Sequence, residues 1–111
     1  MFLLGDNLRS YMMKLAISIN KKKIASFCEK YHILSLALFG SVLTPRFNSA
    51  SDVDVLVQFC KLHIPTLFEI VDIEEELSNI VGRKVDLRTP NELSPYFRDE
   101  VLAQARVIYG S

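Results

Sequence analysis

Cysteine, net charge and long apolar runs are what this sequence has least of, and each shortage closes a class of explanation. Two cysteines in 111 residues, Cys28 and Cys60, are too few for a disulfide framework. With no Cys-x-x-Cys and only two isolated histidines they suggest no zinc site either, and they read as reduced, mostly buried thiols. Lys+Arg and Asp+Glu stand at 13 each, so charge offers no prior for DNA or RNA. The opening MFLLGDNLRS is broken by Gly5, Asp6 and Arg9 before a secretory segment can form, and no apolar run approaches the ~20 residues of a membrane span. The expected setting is the cytoplasm, with no membrane partner and no direct nucleic-acid binding.

Apolar residues fill half of the chain, enough for one domain with a real core but not for a second domain to hold another substrate. Residues 1–18 read as an appended segment, with short apolar clusters, no clean period and a helix expected over Leu8 to Ile17. The domain proper is expected over 19–111. Asn20 is a helix N-cap before Lys21 to Tyr31, where Ile24, Phe27, Cys28 and Tyr31 share a face. ILSLALF, Ile33 to Phe39, is apolar at nearly every position, as a strand covered on both faces would be. A short helical turn at Ser41 to Leu43 leads to a second strand, Val53 to Phe59. Pro65 and Gly82 bracket a helix over Leu67 to Val81, with Leu67, Ile70, Val71, Leu77, Ile80 and Val81 as its apolar stripe. Lys84 to Leu87 is a third strand. Arg98 to Tyr109 reads as a final helix with Val101, Leu102, Ala105 and Ile108 on one side. The order predicts a single α/β domain around a small sheet, without internal repeat or low-complexity linker.

Chemistry concentrates in FGSVLTPRFNSASDVDVLVQF, Phe39 to Phe59. Asp52 and Asp54, two apart on a strand, project to one face, where two carboxylates repel unless a hard divalent cation lies between them. Mg²⁺ takes such oxygen ligands and keeps room for phosphate. Asp86, between Val85 and Leu87, is the candidate third acid. Gly40 lets the backbone turn sharply and a ligand approach, while Ser41 and the turn after it offer donors to an anion. No Gly-Lys-Ser/Thr follows, which excludes a Walker A loop.

Gly40-Ser41, ten intervening residues (42 to 51) and then Asp52-Val53-Asp54 resemble the motif of the minimal nucleotidyltransferases of the DNA polymerase beta-like superfamily. The likeness runs from about Ile19 to Tyr109. It implies a small mixed sheet flanked by helices. It also implies Mg²⁺ on Asp52, Asp54 and Asp86, which would be the catalytic and metal-binding residues, with Gly40 and Ser41 as nucleotide-binding residues. Many relatives have a basic residue three after the serine; Thr44 stands there, then Pro45 and Arg46, and Arg46 is the candidate to serve instead. Relatives of this size occur as antitoxins that transfer AMP from ATP to a tyrosine of a HEPN-type toxin. With no acceptor domain in the chain, a protein acceptor is the economical partner, in a possible homo- or hetero-oligomer. The alternative is an antitoxin that neutralises its partner by complex formation with a weakened nucleotide site.

Bland readings stand beside these. Asp52 belongs to a run of turn formers, which leaves Asp54 unexplained. Asp86 has Arg83 and Arg88 nearby, taken by strand alternation to face the other way. Ser41 has capping as a second use. Lys21 to Lys23 and Glu74 to Glu76 read as solvated helix faces, His32 and His63 as loop or packing residues, and Phe68, Tyr96 and Phe97 as core or interface. The Gly-Ser assignment has a direct consequence. Ser41→Ala removes one hydrogen bond among several, about 0.5–1.5 kcal/mol, so it should weaken binding of an ATP analogue modestly. Gly40→Val should abolish that binding in the same titration.

Overall fold

The computed structural model describes residues 17–110; the helix expected over Leu8 to Ile17 falls outside that range except for Ile17, which is in a bend. Asn20 caps the first described helix, α1 (Lys21–Lys30), its side chain accepting from the Lys23 N–H at 3.1 Å. Ile24, Phe27 and Cys28 recur at helical spacing and are buried, while Lys21, Lys22 and Lys23 are exposed. The chain then runs through β1 (Ile33–Phe39), a 3₁₀ turn (Gly40–Leu43), β2 (Val53–Phe59) and α2 (Leu67–Val81). It continues through β3 (Val85–Arg88), a 3₁₀ turn (Pro90–Glu92), α3 (Arg98–Gln104) and β4 (Arg106–Tyr109).

The sheet is mixed, in the order β3-β2-β1-β4. β1 pairs antiparallel with β2 and with β4, and β2 pairs parallel with β3. Val53, Val55 and Val57 alternate onto one face, with Leu36, Leu38, Val85 and Leu87, and the buried stripes of α1 and α2 pack there to form the core. Ile17 and Ile19 lie partly buried against the same core. Burying a side chain such as Leu77 contributes about 1.5–3 kcal/mol.

Four expectations change. β1 is not covered on both faces: Leu34 is 56% exposed, because the helices that build the core lie on one side. The stripe of α2 is Ile73, Leu77 and Val81, four residues apart, with Leu67 and Val71 outside it and exposed. The last helix ends at Gln104. Ala105 turns extended, at φ −61° and ψ 141°, and Arg106–Tyr109 joins the free edge of β1 as β4. RVIY is β-branched and aromatic, and the hydrogen bonds of an open strand edge outweigh its apparent helical spacing. At Gly110, with φ +75°, a Cβ would run into the carbonyl of Leu34, so the backbone passes there only as glycine.

The fourth change concerns the glutamates of α2. Glu74 accepts from the Leu87 N–H at 2.9 Å and Ser78 accepts from the Val85 N–H at 3.0 Å, so side chains of α2 satisfy two amides of the edge strand β3. Glu76 takes the Lys30 ammonium at 2.8 Å and the Tyr31 hydroxyl at 2.9 Å, fastening α2 to α1. Within the run only Glu75 is exposed. Glu74→Ala should therefore strand the half-buried Leu87 amide at a cost of about 1–3 kcal/mol. Thermal unfolding followed by circular dichroism should show a fall of several degrees, and Glu74→Gln, which keeps an acceptor oxygen, should recover most of it.

Candidate active site

Three chain segments far apart in sequence meet at Asp54. The antiparallel register sets Phe39, the last residue of β1, opposite Asp54, and the parallel register sets Asp86 opposite it on the other side. Gly40 follows Phe39 with φ +75°, and a Cβ there would collide with Oδ2 of Asp54. The carboxylate thus occupies the space that a side chain at 40 would need. Sequence spacing indicated that Gly40 matters; the fold shows that it makes room for Asp54.

Burial pushes the Asp54 carboxyl above its ordinary value, and the charges of Asp86 and Asp52 push it further, with Arg88 acting against them. Asp86 is joined by Arg88 at 3.3 Å, correcting the expectation that Arg88 faces away: two residues apart, they share a strand face. Asp52 has Lys84 at 3.9 Å, a long contact between side chains 45% and 77% exposed, worth little. Among the described residues, no three of His, Cys, Asp and Glu form a ready-made ion cage. The donor chemistry nevertheless fits a hard divalent cation: oxygen ligands only, an excess of negative charge centred on Asp54, and a Cβ-free backbone beside it.

The loop that delivers Asp52 is held by a residue the sequence reading placed elsewhere. The Arg83 guanidinium donates to the carbonyls of Asn48 and Ser51, both at 2.7 Å, and lies over the Phe47 ring at 4.6 Å. It is a positioning residue for the loop and, as strand alternation led one to expect, does not pair with Asp86. Asn48 completes the turn by accepting from Ala50 N–H at 2.8 Å, in line with the turn chemistry expected there. Only the folded chain, which brings positions 48 and 83 together, reveals this pairing.

The Gly-Ser turn is entered without a side-chain cap at Phe39. It is closed by Thr44, whose N–H and hydroxyl both donate to the carbonyl of Ser41 at 2.9 Å. A cavity of about 860 Å³ is lined by Gly40 and Ser41 together with Arg46, Phe97, Val101 and Arg106. The three acids do not line it; this cavity and the carboxylates adjoin at Gly40.

The two histidines lie away from this end. His32 and His63 are not isolated: their rings stack at 3.8 Å and 12°, where the chain enters β1 and leaves β2. Cys28 is buried, which pushes its thiol up to about 12, and Cys60 is half-buried; both are free. Phe68, Tyr96 and Phe97 are 87%, 92% and 60% exposed, so they lie outside the core.

Comparison with known proteins adds the family. Protein adenylyltransferase MntA of Thermococcus cleftensis is 30% identical over 93 residues, covering 84% of this chain and 87% of its own. A minimal nucleotidyltransferase of solved structure superposes with a TM-score of 0.63 at 26% identity, covering 90% of this chain and 91% of its own. A tri-AMPylated HEPN toxin of Shewanella oneidensis in complex with MNT antitoxin gives a TM-score of 0.56 at 19% identity, covering 82% and 70%, a likeness of fold. The family model described as polymerase beta, nucleotidyltransferase matches residues 22–111, which include Gly40, Ser41 and all three aspartates. On that match, and on a mixed sheet that brings Asp54 and Asp86 together beside the Gly-Ser turn, the chain belongs to the polymerase beta nucleotidyltransferase family.

Proposed function

We propose that this nucleotidyltransferase is a Mg²⁺-dependent antitoxin that transfers AMP from ATP to a tyrosine of a cognate HEPN-type toxin and thereby neutralises it. The observation that carries the reading is the Asp54 carboxylate lodged against Gly40 with Asp86 in register beside it. The adenylyltransferase relative and the AMPylated toxin in the related complex support the choice of nucleotide and acceptor.

In this reading Gly40 gives the phosphates close access to the backbone, and the Ser41 hydroxyl donates to a phosphate oxygen. The tyrosine oxygen attacks the α-phosphorus, and the bond from that phosphorus to the bridging oxygen breaks. Pyrophosphate leaves with the electron pair, and the phenolic proton passes to a carboxylate of the acid cluster. Mg²⁺ on Asp52, Asp54 and Asp86 would supply neutralisation of the phosphate charge. In this reading the toxin itself presents the acceptor tyrosine.

The second reading, neutralisation by complex formation with a weakened nucleotide site, is favoured by Thr44, which stands where relatives have a basic residue and donates its hydroxyl to Ser41. Incubating the chain with ATP, Mg²⁺ and the helical toxin encoded beside it, then weighing the toxin intact, separates them. AMP increments on the toxin that disappear with Tyr→Phe at its acceptor are expected. An unmodified toxin that still loses its nuclease activity in the complex would select the second reading.

The charge on Asp54 makes a further prediction. With its folded value raised, the native carboxyl holds its proton more tightly than the unfolded one. That contribution is fully present below the ordinary 3.8 and is lost as pH rises through the raised value. In EDTA at neutral pH, Asp54→Asn should therefore melt higher than the parent, and the gap should close as pH falls toward 3.8. Mg²⁺ at ten times its Kd adds about 1.4 kcal/mol to a protein that binds it only when folded. It should raise the parent's melting temperature more than the variant's; equal shifts would remove the acids from the metal site.

A further inference from the structure

We propose that Arg88 is a specificity-determining residue of the acid site: paired with Asp86, its charge opposes the entry of free Mg²⁺ and favours the complex of Mg²⁺ with ATP, so that metal and nucleotide arrive together. The assignment rests on the nucleotide-transfer reading above and deepens it to the form in which the substrate is taken.

Arg88 closes β3 two residues after Asp86, and side chains two apart on a strand share a face. The parallel register sets Asp54 opposite Asp86 and Leu56 opposite Arg88, so the guanidinium stands on the face that carries both acids. It donates through Nη2 to Oδ2 of Asp86 at 3.3 Å, and its charge is felt at Asp54 as well. Glu92, a further acid near Arg88, is already engaged, accepting from the Thr89 N–H at 2.9 Å and from its hydroxyl at 3.1 Å. Lys84 stands 3.9 Å from Asp52 with its side chain 77% exposed, against 47% for Arg88. Arg88 is therefore the closer and less hydrated of these two cations.

The effect of this charge depends on the sign of what arrives. Free Mg²⁺ is repelled by the guanidinium and competes with it for Asp86. Once bound to ATP the ion belongs to a complex that is negative overall, and the same guanidinium attracts it without leaving Asp86. Three acids alone have the opposite preference, drawing in a bare dication and repelling an anion. Arg88 shifts that balance toward the complex. Because the pair is half exposed, solvent and salt screen it, and the shift is one of several-fold in affinity.

A hydrogen bond that merely orients Asp86 for the metal would act the other way, since losing such a bond weakens metal binding. Free Mg²⁺ and, separately, the α,β-methylene analogue of ATP in the presence of Mg²⁺ are titrated by calorimetry into the full chain and into Arg88→Gln, Arg88→Lys and Lys84→Gln. Arg88→Gln should tighten free Mg²⁺ and weaken the metal–nucleotide complex, each roughly threefold to tenfold. Arg88→Lys, which keeps the charge, should stay close to the parent with both ligands. Lys84→Gln should show the same signs at a smaller size.

Weaker binding of free Mg²⁺ in Arg88→Gln would overturn the assignment in favour of a residue that orients Asp86. Unchanged binding of both ligands, or a change of the same sign in both, would overturn it outright. A parent chain that binds neither ligand would overturn it together with the transfer reading. The expected pattern with an unmodified toxin would sustain Arg88 in this role and remove the transfer reading, whereas a modified toxin without the pattern would do the reverse.

Discussion

The contact between the Asp54 carboxylate and the bare α-carbon of Gly40 is the constraint around which the rest is arranged. It requires β1 and β2 to pair in one register, with Phe39 facing Asp54, since a one-residue slip would send the carboxylate to the core face. It requires a positive φ at position 40, which an L side chain adopts only under strain. It also requires a core firm enough to hold a half-buried, charge-crowded acid in place. That core is the valine face of β2 with the buried stripes of α1 and α2 packed on it.

The same end of the sheet is braced by side chains that never approach the reacting groups. Arg83 ties the turn before Asp52 to the start of β3 through two carbonyls. Glu74 and Ser78 satisfy amides of β3 and hold the strand that carries Asp86 against α2. A charge-crowded site is destabilising by itself, and these hydrogen bonds offset part of that cost where it arises. The arrangement suits a site completed by a ligand: pre-positioned acids gain a counter-charge instead of having to assemble around it.

β4 changes what the domain offers a ligand. As a helix, the segment after Gln104 would have left the edge of β1 open; as a strand, it closes that edge and brings Arg106 beside the Gly-Ser turn. The cavity between the turn and α3 exists because the chain crosses from β3, at one edge of the sheet, to β4 at the other. Exposed Phe68, Tyr96 and Leu67 leave apolar surface beyond the core.

Much of the site was legible in one dimension because its determinants are local. A glycine before a short turn and two aspartates at the mouth of a valine-rich strand announce themselves by spacing alone. The caps are equally local: Asn20 and Gly82 mark helix ends through their own backbone preferences. Asp86 was found by its oddity between Val85 and Leu87. The tertiary structure decided what depends on partners remote in sequence. RVIY became a strand because β1 had an edge to fill, and Arg83 found the loop carbonyls of Asn48 and Ser51. Glu74 left solvent for an amide of β3, and His32 met His63. Each of these outcomes turns on a hydrogen-bonding group or a ring finding its complement across the fold. Periodicity and propensity register which residues can form an element, whereas only the packed chain determines which groups are left needing a partner and which are near enough to supply one.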